Sequence, residues 1–226
     1  MNVIDRILSI VAPHECVGCG AEGVVLCVEC TERLPYLPAG ICYLCGRLSK
    51  NYKVCAKCAD STALQHVYVV AQYTDLAKTL VAKYKFDNVR AGAPPIAVTM
   101  HEALPYFAEP PIVTFVPTMP QHARIRGFDH AQLLAKELAY QRGWHYAPQL
   151  LRQKSLQQHG ATRTERQRQI KGAFRAVAAD RIKGRHVLLV DDVVTTGATI
   201  TEAARVLKKV GAQRIDAVVF ARTPEK

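Results

Sequence analysis

The sequence predicts an α/β fold with a mostly parallel sheet, preceded by a small cysteine-rich module. From about residue 66 onward, runs of β-branched and aromatic residues alternate with helical patterns. Such alternation builds parallel sheets with right-handed crossovers. Before residue 60, eight cysteines stand in Cys-x-x-Cys pairs, a pattern typical of structural metal sites. We therefore expect a metal-binding module over residues 1–62 and an α/β domain over residues 63–226.

The strands and helices of the α/β domain are predicted from separate sequence patterns. Strands are predicted where apolar runs are short and β-branched, and helices where apolar residues recur at 3.6-residue spacing. Pro117 ends one strand and opens a loop that runs to residue 127, and Thr199 with Glu202 forms a candidate capping box. The predicted strands are 66–73, 112–116, the apolar run from Val187 that ends in two carboxylates, and 215–221. One predicted helix has its apolar face at Leu76, Leu80, Val81 and Tyr84, and the others cover 95–104, 128–142 and 199–210.

Composition excludes several classes of protein. A chain of 226 residues with 49% hydrophobic residues is long and apolar enough to bury a core, and it is not typical of disorder. No apolar run is long enough to span a membrane, so membrane insertion is not expected. The N-terminus lacks the basic start of a signal peptide, which favours a cytoplasmic protein. Its apolar residues fit one face of a short docking helix: Ile4, Ile7, Leu8 and Val11.

The charge balance favours anionic partners. Lysine and arginine number 30 against 19 acids, a net charge of +11. Nucleic acid and phosphorylated metabolites are both attracted to such a surface. A generic basic surface carries the same charge, so charge alone does not separate these alternatives. Few aromatic residues lie within the basic stretch after Arg152, so base stacking is not predicted there.

The cysteines form an internal repeat of two similar units. Glycine follows the first and third Cys-x-x-Cys pairs and is absent after the second and fourth. The repeat favours two Zn²⁺ sites with four thiolates each, paired within each unit, although a crossed pairing stays open. Disulfides would need an oxidising compartment, for which no signal is present, and His14 is a bystander. The ligands of the first site are Cys16, Cys19, Cys27 and Cys30, and those of the second are Cys42, Cys45, Cys55 and Cys58.

Residues 187–199 carry the strongest functional signal. An apolar run ends in two adjacent carboxylates, a loop of small and hydroxyl residues follows, and a helix pattern then begins. This order places acids, hydroxyls and backbone N–H groups at the carboxyl end of a strand, where open α/β sheets bind ligands. Carboxylates suit the hydroxyls of a sugar, and N–H donors suit its phosphate.

This stretch closely resembles the 5-phosphoribosyl 1-pyrophosphate (PRPP) signature of type I phosphoribosyltransferases. The resemblance implies a Rossmann-like parallel sheet and Mg²⁺ bound together with PRPP. It also implies that Asp191 and Asp192 bind the ribose hydroxyls and act in catalysis. The residues that would wrap the 5′-phosphate are Val193, Val194, Thr195, Thr196, Gly197, Ala198 and Thr199.

The wider chain resembles the ComF family, which joins a zinc-ribbon module to a phosphoribosyltransferase domain. The matching segments are the cysteine-rich start, Val116-Pro117, Arg124-x-Arg126-Gly127-Phe128 and Lys171-Gly172-Ala173-Phe174. Members of that family serve DNA uptake in competent bacteria. Two positions depart from the family pattern: Asp129-His130 replaces Asn-Gln, and Gln169 replaces Asn. Asp129 puts a negative charge beside a loop meant for anions.

The ComF resemblance also implies roles for single residues. Pro117 and Thr118 would belong to the pyrophosphate loop, with Arg124 and Arg126 as catalytic cations near the diphosphate. Lys85-Phe86 matches a Lys-Phe pair that follows the family's first helix. Residues 157–168 would form a loop that closes over the site and contacts it through Arg163, Arg166 and Arg168. No catalytic base is assigned, since His122, His130 and His159 read as solvated loop residues.

Three functions follow as hypotheses. The first is Mg²⁺-dependent phosphoribosyl transfer to an acceptor that the sequence does not identify. The second is a non-catalytic competence protein that binds single-stranded DNA with the same fold. The third treats the zinc module as a docking surface for a competence helicase or channel protein.

Overall fold

A computed structural model describes residues 13–38, 40–86, 89–153 and 170–224 of the chain. The predicted N-terminal helix face at Ile4, Ile7, Leu8 and Val11 lies outside these residues. So do the predicted closing loop over 157–168, His159 and Gln169.

A four-stranded parallel sheet forms the centre of the protein, as predicted. Its strands are β1 (Val67–Gln72), β2 (Ile112–Phe115), β5 (His186–Val194) and β6 (Arg214–Arg222), in the order β1-β6-β5-β2. A separate antiparallel ribbon pairs β3 (Leu150–Arg152) with β4 (Phe174–Ala176). The central strands β5 and β6 are apolar on both faces, because helices or the ribbon cover each side.

Helices cover both faces of this sheet. Helices α3, α4 and α6 lie on one face, where they meet Leu188 and Val190 of β5. Helix α7 and the ribbon lie on the other face, against Val187 and Leu189. The helices are α1 (Val28–Glu32), α2 (Ala56–Ala59), α3 (Asp75–Phe86), α4 (Ala93–Ala103), α5 (Pro120–Arg126), α6 (His130–Arg142) and α7 (Ala198–Lys209).

The structure corrects three local predictions. The segment after Pro117 is not a loop throughout, because residues from Pro120 onward form α5. Strand β5 continues through both carboxylates to Val194, so the loop that follows it is short. The capping box is wrong: Gly197 is the N-cap of α7, and Glu202 instead binds Arg205 and the N–H of Gly172.

The two cysteine units pack on opposite faces of the sheet. The first unit (residues 16–30) joins the core on the α3 side, and the second unit (residues 42–58) joins the core on the α7 side. The chain between them crosses the β1 edge, where the Leu37 N–H donates to Val70 and the Gln72 N–H donates to Pro35. The units therefore protect an edge strand that would otherwise expose unpaired backbone groups. The boundary between residues 62 and 63 stays a prediction.

Within the described part of the chain, no helix combines the length and apolar character needed to cross a membrane.

Candidate functional site

The candidate site lies at the carboxyl ends of β2 and β5, which are neighbours in the sheet. The Val116 N–H donates to the carbonyl of Val190 over 3.0 Å, which holds the segment after β2 beside the start of the acidic pair. Ligands of open α/β sheets bind at this edge. The parallel pairing therefore brings the predicted pyrophosphate loop, at Pro117 and Thr118, next to Asp191.

Asp191 and Asp192 point to opposite faces of β5, because side chains alternate along a strand. Asp192 faces α3, where its Oδ1 atom lies 2.6 Å from the Nζ atom of Lys85. Asp191 accepts a hydrogen bond from the Asp192 N–H over 2.9 Å. Burial, reinforced by the charge of Asp192, raises the pKa of Asp191 to about 8. Asp191 is therefore mostly protonated at neutral pH before a ligand arrives.

The phosphate loop (residues 195–197) links β5 to α7. Gly197 adopts a left-handed backbone conformation, with φ of 75°, and caps the helix. The Thr196 hydroxyl accepts a bond from the Ala198 N–H over 3.4 Å. Backbone N–H groups in the first turn of a helix lack intrahelical partners, and the 12-residue α7 adds its dipole. The loop thus offers a phosphate both N–H donors and a positive field.

Asp129, the residue that departs from the family pattern, has two bonding partners. Its Oδ2 atom accepts from the Thr118 N–H over 2.8 Å, and its Oδ1 atom accepts from the Gln132 N–H over 3.2 Å. Asp129 therefore caps α6 and occupies one N–H of the predicted pyrophosphate loop. The pKa of Asp129 is raised overall. Burial is the main cause and the charge of Asp192 adds to it, while the two hydrogen bonds oppose the rise.

Two cationic side chains lie near these carboxylates, one on each face of the sheet. Besides Lys85 on the α3 side, Arg152 of β3 lies on the ribbon side, within electrostatic range of Asp191 and Asp129. Burial lowers the pKa of Arg152, and its Nε atom has no hydrogen-bond partner among the described residues. The Arg152 guanidinium also lies over the ring of Phe174, at 5.3 Å.

The two arginines predicted to be catalytic differ in position. The Arg126 guanidinium lies 5.2 Å from the centre of the Phe86 ring, one residue beyond Lys85, so it borders the site. Arg124 is exposed on the same short helix, and it forms no ion pair with a described residue.

His130 is a core residue, contrary to the prediction of a solvated loop histidine. Only 2% of its surface is exposed, and its ring packs edge-on against Tyr84 and Phe128. Burial lowers the pKa of His130 to about 4, so the ring is neutral at physiological pH. Its Nε2 atom has no partner among the described residues. With so low a pKa, His130 is a poor general base.

The cysteines gather into the two groups that the repeat predicts. Within each unit the four Sγ atoms lie within 4.8 Å of one another, so the in-series pairing is the one that the fold brings together. The Sγ atoms of Cys19 and Cys27 are 3.7 Å apart, and those of Cys45 and Cys55 are 3.6 Å apart. A tetrahedron with Zn–S bonds of about 2.3 Å has edges of about 3.8 Å. His14 belongs to neither group.

Sequence reasoning did not place Lys85 or Arg152 in the site. Lys85 lies 107 positions before its partner Asp192, and its only signal was the Lys-Phe match. Arg152 opens the basic segment that follows α6, and nothing in its local pattern points toward the acids. Contacts across such separations depend on how the helices and the ribbon pack on the sheet.

Comparison with known proteins matches the C-terminal part of the chain to a family. Residues 126–226 match the family described as "Phosphoribosyl transferase domain". This range contains β5, the phosphate loop and α7.

Three curated relatives match nearly the whole chain. Competence protein F of Haemophilus influenzae is 26% identical, with 87% of this chain and 96% of the relative covered. Competence protein ComFC of Bacillus subtilis is 29% identical, with 82% and 79% covered. DNA utilization protein YhgH of Salmonella typhimurium is 29% identical, with 88% and 97% covered. The similarity thus extends well beyond residues 126–226.

Proposed function

We propose that this chain, a member of the ComF family with a phosphoribosyltransferase domain, binds PRPP with Mg²⁺ and transfers its phosphoribosyl group to an acceptor. The observation that carries the proposal is the acidic pair on β5, followed at once by a phosphate loop at the N-terminus of α7. An acidic pair suits ribose hydroxyls, and a helix N-terminus suits the 5′-phosphate.

Each group has a defined task in this reaction. The bond between C1 of the ribose and the diphosphate oxygen breaks, the diphosphate leaves, and the acceptor forms a new bond to C1. Mg²⁺, held largely by substrate oxygens, would neutralise charge on the diphosphate. Asp191 and Asp192 orient the sugar, while Lys85 and Arg152 balance the carboxylates around it. Asp191 can accept hydrogen bonds from the ribose hydroxyls with both oxygens only when it is ionised. Donor binding therefore strengthens as the pH rises toward 8.

The same proposal places Zn²⁺ in both cysteine groups. The sulfur separations of 3.7 Å and 3.6 Å match the edge of a zinc tetrahedron. Four thiolates leave no open coordination position, so these sites would stabilise the fold without taking part in the chemistry.

Calorimetric titration with PRPP and Mg²⁺ tests donor binding. We expect Asp191→Asn combined with Asp192→Asn to weaken donor binding roughly 100-fold, because two charge-assisted hydrogen-bond acceptors are lost. Asp180→Asn is the matched control, since Asp180 is exposed and lies outside the site. Transfer itself is measured as diphosphate release in the presence of nucleobases, amines or nucleic acids. Failure of the wild-type protein to bind PRPP would overturn the donor assignment, and binding without diphosphate release would overturn the catalytic one.

A second function, binding of single-stranded DNA, is favoured by a surface beside the site. We call it the arginine–aromatic patch: Arg90, Arg126, Phe86 and Phe128. Arg90 lies 5.1 Å from the centre of the Phe128 ring, and Arg126 lies 5.2 Å from that of Phe86. Phe86 is 68% exposed, so a base can reach its ring. Alternating cations and aromatic rings suit single strands. In this proposal Phe86 and Phe128 are the stacking residues that the basic segment lacks.

Fluorescence anisotropy with a labelled oligothymidine tests this second function. Phe86→Ala should weaken binding about tenfold, because stacking on one base contributes roughly 1–3 kcal/mol. Tyr106→Ala is the matched control, since Tyr106 is 87% exposed but lies outside the patch. Equal loss in both variants, or no binding at low salt, would contradict a role for the patch.

A further inference from the structure

We infer that the second cysteine unit positions the phosphate loop, through Tyr43 and Leu44. These two residues lie between Cys42 and Cys45, at the tip of the turn that the metal ligands define. The inference rests on the proposed function, because it concerns the loop that would hold the donor's 5′-phosphate.

The tip of the second unit packs directly against the loop backbone. A Cβ atom placed on Gly197 would lie 2.8 Å from Cδ2 of Leu44 and 2.9 Å from Cε2 of Tyr43. Real Cβ atoms essentially never come so close to another heavy atom. Gly197 is therefore required for two reasons, its left-handed backbone and the side chains that cover it.

The Tyr43 hydroxyl connects this tip to the first turn of α7. It lies 2.8 Å from the Thr201 hydroxyl and donates to the Thr62 hydroxyl over 3.1 Å. The Thr201 N–H in turn donates to the carbonyl of Gly197 over 3.0 Å. Tyr43 is only 2% exposed, so little water competes for these bonds.

The backbone of Tyr43 connects the same tip to β6, the strand that pairs with β5 beside the loop. Its carbonyl accepts from Nε of Arg222 over 3.0 Å. Arg222 is the register partner of Val194, the last residue of β5. Tyr43 is thus bonded to α7, which follows residues 195–197, and to β6, which pairs with the end of β5 that precedes them.

The first unit has no such role. The position equivalent to Tyr43 in the repeat is Val17, whose N–H donates to Val25 within its own unit. The neighbouring Gly18 faces Cys30 and Leu76 of α3, on the opposite face of the sheet. Only the second copy of the repeat therefore carries the side chains that meet the phosphate loop.

A loop held in place before the ligand arrives loses less conformational entropy on binding. Preorganisation of this kind strengthens affinity without adding a contact to the ligand. The second cysteine unit would then stabilise the fold and also raise donor affinity, which couples metal occupancy to donor binding.

Two variants test the inference: Tyr43→Phe, which keeps the ring and removes the hydroxyl, and Leu44→Ala. We expect each to weaken binding of Mg²⁺–PRPP and of ribose 5-phosphate about three- to tenfold, by calorimetry. Binding of Mg²⁺–diphosphate alone, which does not use the loop, should not change. A purely structural defect would instead weaken the binding of all three ligands. Amide hydrogen exchange over residues 195–201 should rise in the ligand-free variants.

Matched controls come from the cysteine units themselves. Tyr52→Phe changes a second tyrosine of the same unit, one that is half-buried, and Val17→Ala changes the position equivalent to Tyr43; both should leave all affinities unchanged. Zinc content, measured for every variant, shows whether the cysteine sites are intact.

Two failures can be told apart. Wild-type protein that does not bind PRPP refutes the proposed function, and hydrogen exchange then decides whether the second unit orders the loop. Folded, zinc-replete Tyr43→Phe and Leu44→Ala proteins with wild-type affinity and exchange would refute the inference alone.

Discussion

Single residues in the site carry charges that their neighbours alter. Asp191 and Asp192 are adjacent in the chain, yet they face different surroundings, because a strand turns successive side chains to opposite sides. Asp192 meets Lys85 and forms an ion pair. Asp191 is half-buried, and desolvation together with the charge of Asp192 raises its pKa to about 8. The pair therefore holds roughly one negative charge at neutral pH, and Asp191 adds a second as the pH rises past its raised pKa.

Asp191 also makes the stability of the free protein depend on pH. The folded protein keeps a proton on Asp191 up to about pH 8, while the unfolded chain releases it near pH 4. Asp191 therefore lowers the free energy of unfolding progressively between pH 4 and pH 8, and no further above that. Asp191→Asn should stabilise the protein by roughly 1–3 kcal/mol more at pH 8 than at pH 5, measured by urea denaturation. Asp180→Asn serves as the control, and an equal effect at both pH values would contradict the raised pKa.

At the scale of elements, the phosphate loop is held by its neighbours as much as by its own sequence. Gly197 caps α7, and the second cysteine unit covers it with Tyr43 and Leu44. On the other side of the site, Asp129 caps α6 while it accepts the N–H of Thr118. Both loops of the candidate site are therefore anchored at the start of a helix.

Substitution of Gly197 separates backbone strain from packing. Gly143 also has a left-handed backbone, with φ of 64° against 75°, but a Cβ atom there would meet nothing within 4 Å. We expect Gly143→Ala to cost about 1 kcal/mol of unfolding free energy from strain alone. Gly197→Ala should cost roughly 1–3 kcal/mol more, because two side chains must move. Chemical denaturation measures both, and equal costs would show that the second unit does not press on the loop.

At the scale of the whole molecule, the cysteine units and the α/β part share their core. Cys30 and Leu34 pack with Val70 and Leu80 on one face of the sheet, and Tyr43 packs with the other face. The chain between the units covers the β1 edge. Loss of metal would therefore expose both faces near β1 and would also free that edge.

Removal of metal should lower the stability of the entire protein. We expect a strong chelator to release two zinc ions per chain and to lower the midpoint of thermal unfolding by about 10 °C or more, since metal binding contributes to folding. A zinc indicator dye and circular dichroism follow release and unfolding together. Zinc added back should restore the midpoint. Release of both ions without a change in the midpoint would show that the sheet does not depend on the cysteine units.

The fold and the centre of the site follow from local signals. Cys-x-x-Cys spacing predicted the two cysteine groups that the fold brings together, because ligands on one tight turn must be close in sequence. The run from Val187 to Thr199 predicted a strand, an acidic pair and a helix start, because all these parts lie within one β–loop–α unit. The errors were local: Gly197 caps α7 in place of Thr199, α5 forms within the predicted loop, and His130 is buried.

The partners of the acidic pair and of the phosphate loop were decided by tertiary structure. Lys85, Arg152 and Tyr43 lie 107, 39 and 154 positions from Asp192, Asp191 and Gly197, respectively, and no periodic pattern links positions so far apart. Parallel pairing of β2, β5 and β6 sets which loops share an edge, and packing of α3, the ribbon and the second cysteine unit sets which side chains reach it. The sequence by itself therefore determined the strand, the acidic pair and the helix start on which the proposed ligand rests. Only the packing of distant elements decided which residues hold the loop and balance the acids.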